Sequence, residues 1–304
     1  MSSAVEPSPL GQDLLRVTDV SAIPAEPPPE LFYHHRAGML ASAKRLWAHR
    51  EIIFTLAERD FRAQYKQATL GILWALLSPV LTLVIMIAVF SRAKSFGTEG
   101  IPFALFSFVG ILCWSFFASA LGTGGNSLLS NKALLAKTQF PRECFPLETM
   151  GVTAINTVLS WIPLVILFVI FGRAPAVATL WAPLFMVLEV AFAAGVTMAV
   201  AGLIIQMRDL VQVLPVIISL GLFVNPVIWP LSKLSEPSVP KFVLPLYCFV
   251  NPLGPVIDNV RRTMLLGFEP NWYLVGIATL GALFYLVVGY RLFKRLEVSF
   301  ADIA

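Results

Sequence analysis

The chain has 304 residues, of which 57% are hydrophobic and 13% are charged, with a formal net charge of +4. A soluble domain carries about 25% charged residues, so this composition excludes a disordered protein, a disulfide scaffold and an ordinary soluble enzyme. The small positive balance does not indicate nucleic-acid binding. Because a soluble chain of this length could not hide so much apolar surface, we predict an all-α membrane protein.

Residues 1–38 are predicted to form a disordered tail. Acidic residues outnumber the single base Arg16 in its first 30 positions, which also contain the run Pro27-Pro28-Pro29. No apolar period is present there. The segment also lacks the apolar core and the basic start of a signal peptide.

Residues 39–68 are predicted to form an amphipathic helix. Apolar residues such as Leu46, Trp47 and Phe54 recur at helical spacing, and charged residues occupy much of the remainder. Because so many charges cannot cross a bilayer, we expect this helix to lie along the membrane interface. The alternative is a helix that packs on a soluble domain.

Six apolar stretches are long enough to cross about 30 Å of hydrocarbon as helices. They cover residues 72–91, 101–121, 146–171, 178–205, 210–230 and 272–293. The second span is expected to end in a flexible exit at Gly122-Thr123-Gly124-Gly125. Prolines break the apolar stretch after the fifth span, so residues 234–262 are predicted to form re-entrant extracytoplasmic half-helices; the alternative is a seventh span.

Basic residues predict the orientation of these spans. With six spans and a cytoplasmic N-terminus, about two-thirds of the 22 Lys and Arg residues fall on the cytoplasmic side. Both termini are therefore expected in the cytoplasm, the C-terminal one as residues 296–304.

Motifs for catalysis and cofactor binding are missing from the sequence. No phosphate-binding loop is present, because the glycine run at residues 122–125 lacks the lysine that such a loop needs. No His, Asp or Glu cluster has metal-ligand spacing, and the three cysteines are far apart. Glu189 is the one clear acid within a span, and it would either line a polar path or hydrogen-bond between helices. We therefore expect no enzyme activity and no bound cofactor in this chain.

The loop after the second span is predicted to carry a short cytoplasmic helix. Its leucines would form an exposed apolar stripe flanked by two lysines. The residues concerned are Leu128, Leu129, Lys132, Leu134, Leu135 and Lys137. Such a stripe suits either docking into the groove of a partner or contact with the chain's own membrane surface.

Residues 59–79 carry the most specific pattern. Arg59-Asp60-Phe61-Arg62 leads through Gln64-Tyr65 to Leu70-Gly71, Trp74, Leu77 and Pro79. This pattern resembles the first-span hallmark of the ABC-2 permeases that export polysaccharides. Weaker likeness lies in Asn131-Lys132, Phe140-Pro141, Arg208-Asp209 and Asn251-Pro252-Leu253. The predicted ABC-2 transmembrane domain therefore covers residues 39–295, and the tail falls outside it.

The resemblance implies a homodimer of six-span subunits that binds two copies of a separate ABC ATPase, which would hold ATP and magnesium. It is greatest to Wzm-type subunits, which export O-antigen or galactan, and extends to teichoic-acid exporters. The cargo of that family is a long glycan on a polyprenyl diphosphate. In that family the loop after the second span contacts the ATPase, which favours docking for the leucine stripe.

Two groups of residues are candidates for contact with such a cargo. Aromatic rings can stack on sugar faces while a glycan slides. The aromatic candidates are Tyr65, Trp74, Phe116 and Trp161, although aromatic residues in spans also face lipid or form an interface belt. The basic candidates for the diphosphate are Arg59, Arg62 and Lys66 on the cytoplasmic side and Arg261 and Arg262 on the outer side. Headgroup anchoring is the alternative for the cytoplasmic three.

The sequence thus predicts the membrane subunit of an ATP-driven polysaccharide exporter in the plasma (inner) membrane. Rival functions are a permease for teichoic acid, lipid or drug, and a polyprenyl-phosphate sugar transferase. The transferase is disfavoured because the cytoplasmic loops lack paired acids for a metal-bound diphosphate. An ion-coupled carrier is disfavoured because the spans are almost uncharged.

Overall fold

A computed structural model describes residues 44, 46–66, 70–90, 97–98, 100–135 and 141–297, and these ranges contain helices and no strand. The predicted all-α class is confirmed. The predicted tail of residues 1–38 and residues 298–304 lie outside the described residues, and so does Lys137.

The helices of the first half follow the predicted spans closely, with one exception. They are α1 (Arg50–Lys66), α2 (Leu73–Phe90), α3 (Phe103–Ser130), the one-turn α4 (Lys132–Leu135), α5 (Cys144–Ser160) and α6 (Ile162–Ile170). The exception is α3, which continues two turns beyond the expected exit at residue 121. Its Gly124 and Gly125 pack against neighbouring helices, and a Cβ atom at Gly124 would lie 2.5 Å from the Thr197 methyl group. The glycine run therefore serves close helix packing, and the expected flexible exit is wrong.

The second half begins with a 3₁₀ turn (Val177–Trp181) that leads into α7 (Ala182–Gln206). It continues with α8 (Leu210–Val224), a 3₁₀ turn (Leu231–Ser235), α9 (Val243–Val250), α10 (Leu253–Met264) and α11 (Trp272–Glu297). Two short helices, α9 and α10, thus occupy the stretch predicted to be re-entrant. Whether they enter the membrane stays a prediction.

Within the described ranges, five helical segments are long and apolar enough to cross a membrane. They are Leu73–Phe90, Phe103–Ser130, Cys144–Ile170, Val177–Gln206 and Trp272–Glu297. The predicted fifth span is shorter than expected: α8 has 15 residues, or about 22 Å at 1.5 Å per residue. It ends at Val224 because Pro226 lacks an amide hydrogen and disfavours helical geometry in the residue before it. The chain is an integral membrane protein, and six spans stay a prediction.

Helix α3 is the centre of the packing. Its own aromatic and aliphatic side chains, Phe106 and Phe108 among them, are buried on most sides of the helix. Beside it, α7 and α11 approach so closely that a Cβ atom on Gly195 or Gly289 would overlap the backbone of the other helix. Small residues permit this contact, as is usual for helix pairs in membranes.

Candidate functional site

One face of α3 is left uncovered by the other helices, and that face is small and polar. From residue 115 onward, the residues of α3 that are not buried are Ser115, Ala118, Ser119, Gly122, Thr123, Asn126, Leu129 and Ser130. Their spacing of three, four, seven and eight positions places them on a single stripe of the helix. We call this stripe the polar groove.

Two helices flank the polar groove. On one side the Ser119 hydroxyl lies 3.4 Å from that of Thr153 on α5. On the other side a Cβ atom at Gly122 would contact Ile218 of α8 at 3.5 Å. The Thr123 hydroxyl donates to the Ser119 carbonyl at 2.7 Å, and the Asn126 amide donates to the Gly122 carbonyl at 2.8 Å. The Ser119 and Thr123 side chains are exposed, and their hydroxyl oxygens remain able to accept hydrogen bonds from a ligand, whereas the Oδ1 atom of Asn126 is buried.

A polar stripe at this place is unusual for a helix of a membrane protein. Exposed positions of α2, α6 and α8 carry aliphatic side chains, among them Val84, Val165 and Val216. Hydroxyl and amide groups on an uncovered membrane helix are expected to face another helix, water or a polar cargo. The polar groove is therefore the best candidate for a transport path within the described residues.

The hallmark residues of α1 connect this helix to α5. The Tyr65 hydroxyl donates to the Asn156 side-chain oxygen at 2.8 Å, and the Asn156 amide donates to Gln64 at 3.3 Å. Burial raises the pKa of the Tyr65 phenol, so it stays protonated and keeps this donor. Tyr65 thus has a helix-packing contact, and its predicted contact with a glycan stays a prediction.

The predicted cytoplasmic cations differ in their surroundings. Arg59 pairs with Asp60 at 2.7 Å, and that hydrogen bond raises the pKa of Arg59. Burial by itself would raise the pKa of Asp60, but its hydrogen bonds with Arg59 and Glu148, together with the positive charge of Arg59, outweigh burial and hold that pKa below the ordinary value. Arg62 pairs with Glu58 at 2.5 Å on the exposed face, and Lys66 is exposed at the end of α1. Arg62 and Lys66 are therefore accessible to a headgroup or a diphosphate.

The predicted aromatic contacts do not share one surface. Trp74 is 49% exposed on α2. Trp161 is half-buried at the break between α5 and α6, and its indole nitrogen has no hydrogen-bond partner among the described atoms. Phe116 is 5% exposed and belongs to the core. The prediction that Phe116 lines a path thus disagrees with its position, because α3 turns this ring toward its helical neighbours.

The leucine stripe is only partly exposed. Leu128 is 0% exposed, so the expectation that it lies on the surface is wrong. The reason is that α3 extends to Ser130, which carries Leu128 into the protein. Leu134 and Leu135 are half-buried and pack against a cluster that includes Phe145 and Phe293. Leu129 and Lys132 are also half-buried, whereas Ala133 is exposed.

The two predicted outer cations occupy different environments. Arg261 is 3% exposed and donates to three backbone carbonyls. Its contacts favour a structural role over diphosphate binding. Arg262 is half-buried and donates to the Glu269 carbonyl at 2.7 Å. Its predicted contact with a diphosphate stays a prediction.

Two buried acids lie outside the cation groups described above. Glu189 is 5% exposed on α7, and its Oε1 atom has no hydrogen-bond partner among the described atoms. Glu143, at the start of α5, is buried and forms an ion pair with Lys294 of α11. No group of three metal-ligating side chains occurs in the ranges that the structure describes.

Sequence reasoning missed the polar groove. The aromatic candidate that the sequence offers in the second span, Phe116, is buried. The available signal was the spacing of Ser115, Ser119 and Thr123, which recur every four residues in a helix rich in phenylalanine. That spacing places the polar side chains on one line along the helix.

Comparisons with known proteins match this chain to proteins of transport and export systems. The sequence profile of the ABC-2 type transporter family matches residues 51–265. The chain is 27% identical to an O-antigen export system permease protein RfbA of Myxococcus xanthus, over 73% of this chain and 84% of that protein. It is also 27% identical to an RfbA protein of Klebsiella pneumoniae, over 83% and 95% of the two chains. The polysialic acid transport protein KpsM of Escherichia coli is 22% identical over 79% of this chain and 91% of its own.

Proposed function

Because the chain belongs to the ABC-2 type transporter family, we propose that it is the membrane-spanning subunit of an ATP-driven exporter of a polyprenyl-diphosphate-linked polysaccharide. The polar groove of α3 is the observation that carries this proposal. The names of the O-antigen and polysialic acid relatives support a polysaccharide as the cargo class. An O-antigen or galactan type of glycan is the proposed cargo.

The polar groove suits a sliding glycan. Sugar hydroxyl groups donate and accept hydrogen bonds, as do the hydroxyls of Ser115, Ser119 and Thr123. Because these side chains are small and spaced at regular intervals of one helical turn, successive sugars can exchange one partner for the next. No single strong contact would hold the glycan in place. A second copy of the permease, packed as a homodimer, would shield the groove from lipid.

The energy for export would come from a partner. The sequence has no phosphate-binding loop, so in this proposal ATP and magnesium bind to two copies of an ABC ATPase and to no site on this chain. The short helix α4 and the exposed Ala133 would contact that ATPase. Movements there would reach the groove through α3, because α4 follows α3 directly.

The proposed location is the plasma (inner) membrane, with both termini in the cytoplasm. In this orientation the cations of α1 lie at the level of the cytoplasmic headgroups. Arg62 and Lys66, which are both exposed, would then be placed to meet a lipid diphosphate before it enters the groove. When no cargo is present, the headgroups of membrane lipids would bind to the same cations.

The test is depletion of this permease in its native cell, followed by identification of the lipid-linked material that accumulates. The proposal predicts that a polyprenyl-diphosphate glycan accumulates on the cytoplasmic side and disappears from the surface. A strain that regains the permease from a plasmid is the control. Accumulation of a teichoic-acid precursor, another lipid or a drug would contradict the proposal and identify the other cargo class, and unchanged glycans would contradict it outright.

A further inference from the structure

Arg261 of α10 lies inside the protein and connects three parts of the chain. Its Nε atom donates to the Phe106 carbonyl of α3 at 2.8 Å. Its two terminal nitrogens donate to the carbonyls of Pro226 and Val227, each at 2.5 Å. The guanidinium also covers the Phe106 ring, with 3.7 Å from Cζ to the ring centroid. We call these contacts the arginine latch.

The carbonyls that Arg261 binds come from a break in the backbone. Helix α8 ends at Val224, and the residues that follow are not helical up to Pro230. Such a break frees carbonyl groups that a helix would otherwise satisfy, and an unsatisfied carbonyl is costly in an apolar setting. Arg261 supplies donors for two of these carbonyls.

Side chains of α9, of the residue that follows it and of the break itself satisfy further carbonyls and polar groups there. The Tyr247 hydroxyl donates to the Val224 carbonyl at 3.0 Å. The Asn251 amide donates to the Asn225 side-chain oxygen at 2.9 Å. The indole of Trp229 donates to the Phe223 carbonyl at 3.2 Å. The break is thus held by side chains from both α9 and α10.

The space around the guanidinium is shaped for arginine. A Cβ atom at Gly110 of α3 would overlap the Nη2 atom of Arg261, so the absence of a side chain at Gly110 creates the space. The planar guanidinium directs several N–H groups at fixed angles, whereas lysine has a single ammonium on a flexible stem. A lysine could not reach three carbonyls on two segments in the same way.

We propose that Arg261 is a positioning residue that fastens α10 and the break after α8 to α3, so that these three segments move as one body. The latch sets the position of the C-terminal end of α8, and α8 is one of the two helices that flank the polar groove. The effect of the latch on export rests on the proposed function. The latch itself is a statement about local structure, and it can be tested without any cargo.

Native cysteines provide the test, because all three are buried and they lie in different places. Cys113 follows Gly110 by one turn of α3, Cys248 adjoins Tyr247 on α9, and Cys144 begins α5 far from the latch in the chain. The purified permease in lipid vesicles is treated with a membrane-permeant maleimide, and the modification rate of each cysteine is followed by peptide mass spectrometry. The variants are Arg261→Lys and Arg261→Met, with Arg262→Met as the matched control.

The latch predicts that both Arg261 variants react at least about ten-fold faster at Cys113 and Cys248, because losing charge-assisted hydrogen bonds shifts a local opening by that factor or more. Cys144 should react at the wild-type rate, and Arg262→Met should leave all three rates unchanged. Unchanged rates at Cys113 and Cys248 in the Arg261 variants would overturn the proposal. An equal rise at all three cysteines would also overturn it, because that result indicates general destabilisation.

Failure of the latch and failure of the proposed function are distinguishable. The labelling experiment uses no glycan and no ATPase, so its result does not depend on the cargo. Export by the two Arg261 variants, measured as surface glycan in the depleted strain, should fall if both proposals hold. Faster labelling with normal export would keep the latch as a structural element and refute its effect on the groove.

Discussion

The ion pair between α5 and α11 yields the sharpest energetic prediction. Lys294 of α11 pairs with Glu143 and also with Glu297, the latter at 2.7 Å. The Tyr290 hydroxyl donates to Glu143 at 3.2 Å. Glu143 is 1% exposed, so replacing Lys294 with Met would leave a buried carboxylate that still accepts a hydrogen bond from the Tyr290 hydroxyl.

The size of this effect follows from burial. Removal of one partner from a buried ion pair costs about 3–5 kcal/mol. Because the Lys294 side chain is 33% exposed, water screens part of that attraction, and we expect a loss of about 2–3 kcal/mol. In the Glu143→Gln background the buried charge is gone, so Lys294→Met should then cost less than about 1 kcal/mol.

The assay is the free energy of unfolding in mixed micelles for the wild type, both single variants and the double variant. The difference between the double variant and the sum of the single variants measures the coupling. We expect a coupling of at least about 1 kcal/mol, and additivity within about 0.5 kcal/mol would refute the reasoning. Arg291→Met on the exposed face of α11 is the control and should change stability by less than about 0.5 kcal/mol.

Two further predictions concern the cytoplasmic side. Ala133→Asp should abolish co-purification of the ATPase without changing the free energy of unfolding, because Ala133 is exposed on α4. The double variant Leu134→Asp, Leu135→Asp should also abolish co-purification, but it should lower the free energy of unfolding as well, because both leucines pack on the Phe145 and Phe293 cluster. Intact ATPase capture by the Ala133 variant would contradict docking at α4. Arg62→Ala should reduce the stimulation of ATPase activity by a lipid-linked glycan at least about three-fold, because it removes a charge-assisted contact that water partly screens. Glu58→Ala is its matched control, and equal stimulation in both variants would leave Arg62 as a headgroup anchor.

The helical class was predictable because apolar stretches of membrane length dominate the chain. The limits of α3 were less predictable. Gly124 and Gly125 are ordinary signals of a helix end, but in the structure they admit Thr197 and Val200 of α7. A glycine that ends a helix and a glycine that lets two helices touch look the same in one sequence.

The role of Arg261 could not be predicted from its neighbours in sequence. Its acceptors are on Phe106, Pro226 and Val227, which are distant along the chain. A basic residue at the end of an amphipathic helix is normally solvent-exposed, and sequence reasoning therefore assigned it to a ligand. Only the path of the backbone after α8 shows the carbonyls that require a donor.

The polar groove was predictable from the residues that share one face of α3. The hydroxyl residues of the second span recur every four positions, and this is visible in the sequence. What the sequence does not show is that the opposite, phenylalanine-rich faces are covered by other helices. Burial therefore reversed the expected assignment: the aromatic rings pack the interior, and the hydroxyl groups face outward.

The central claim is that a glycan moves along the polar groove, and cross-linking tests it most directly. A photoreactive benzoyl-phenylalanine would replace Thr123 in the groove, with Val187 on the exposed face of α7 as a control position outside the groove. The permease would be assembled with its ATPase in vesicles, supplied with radiolabelled lipid-linked glycan and ATP, and then irradiated. The account predicts a cross-link to the glycan from position 123 and none from position 187. Cross-links from 187 alone, or equal labelling of both positions, would contradict it.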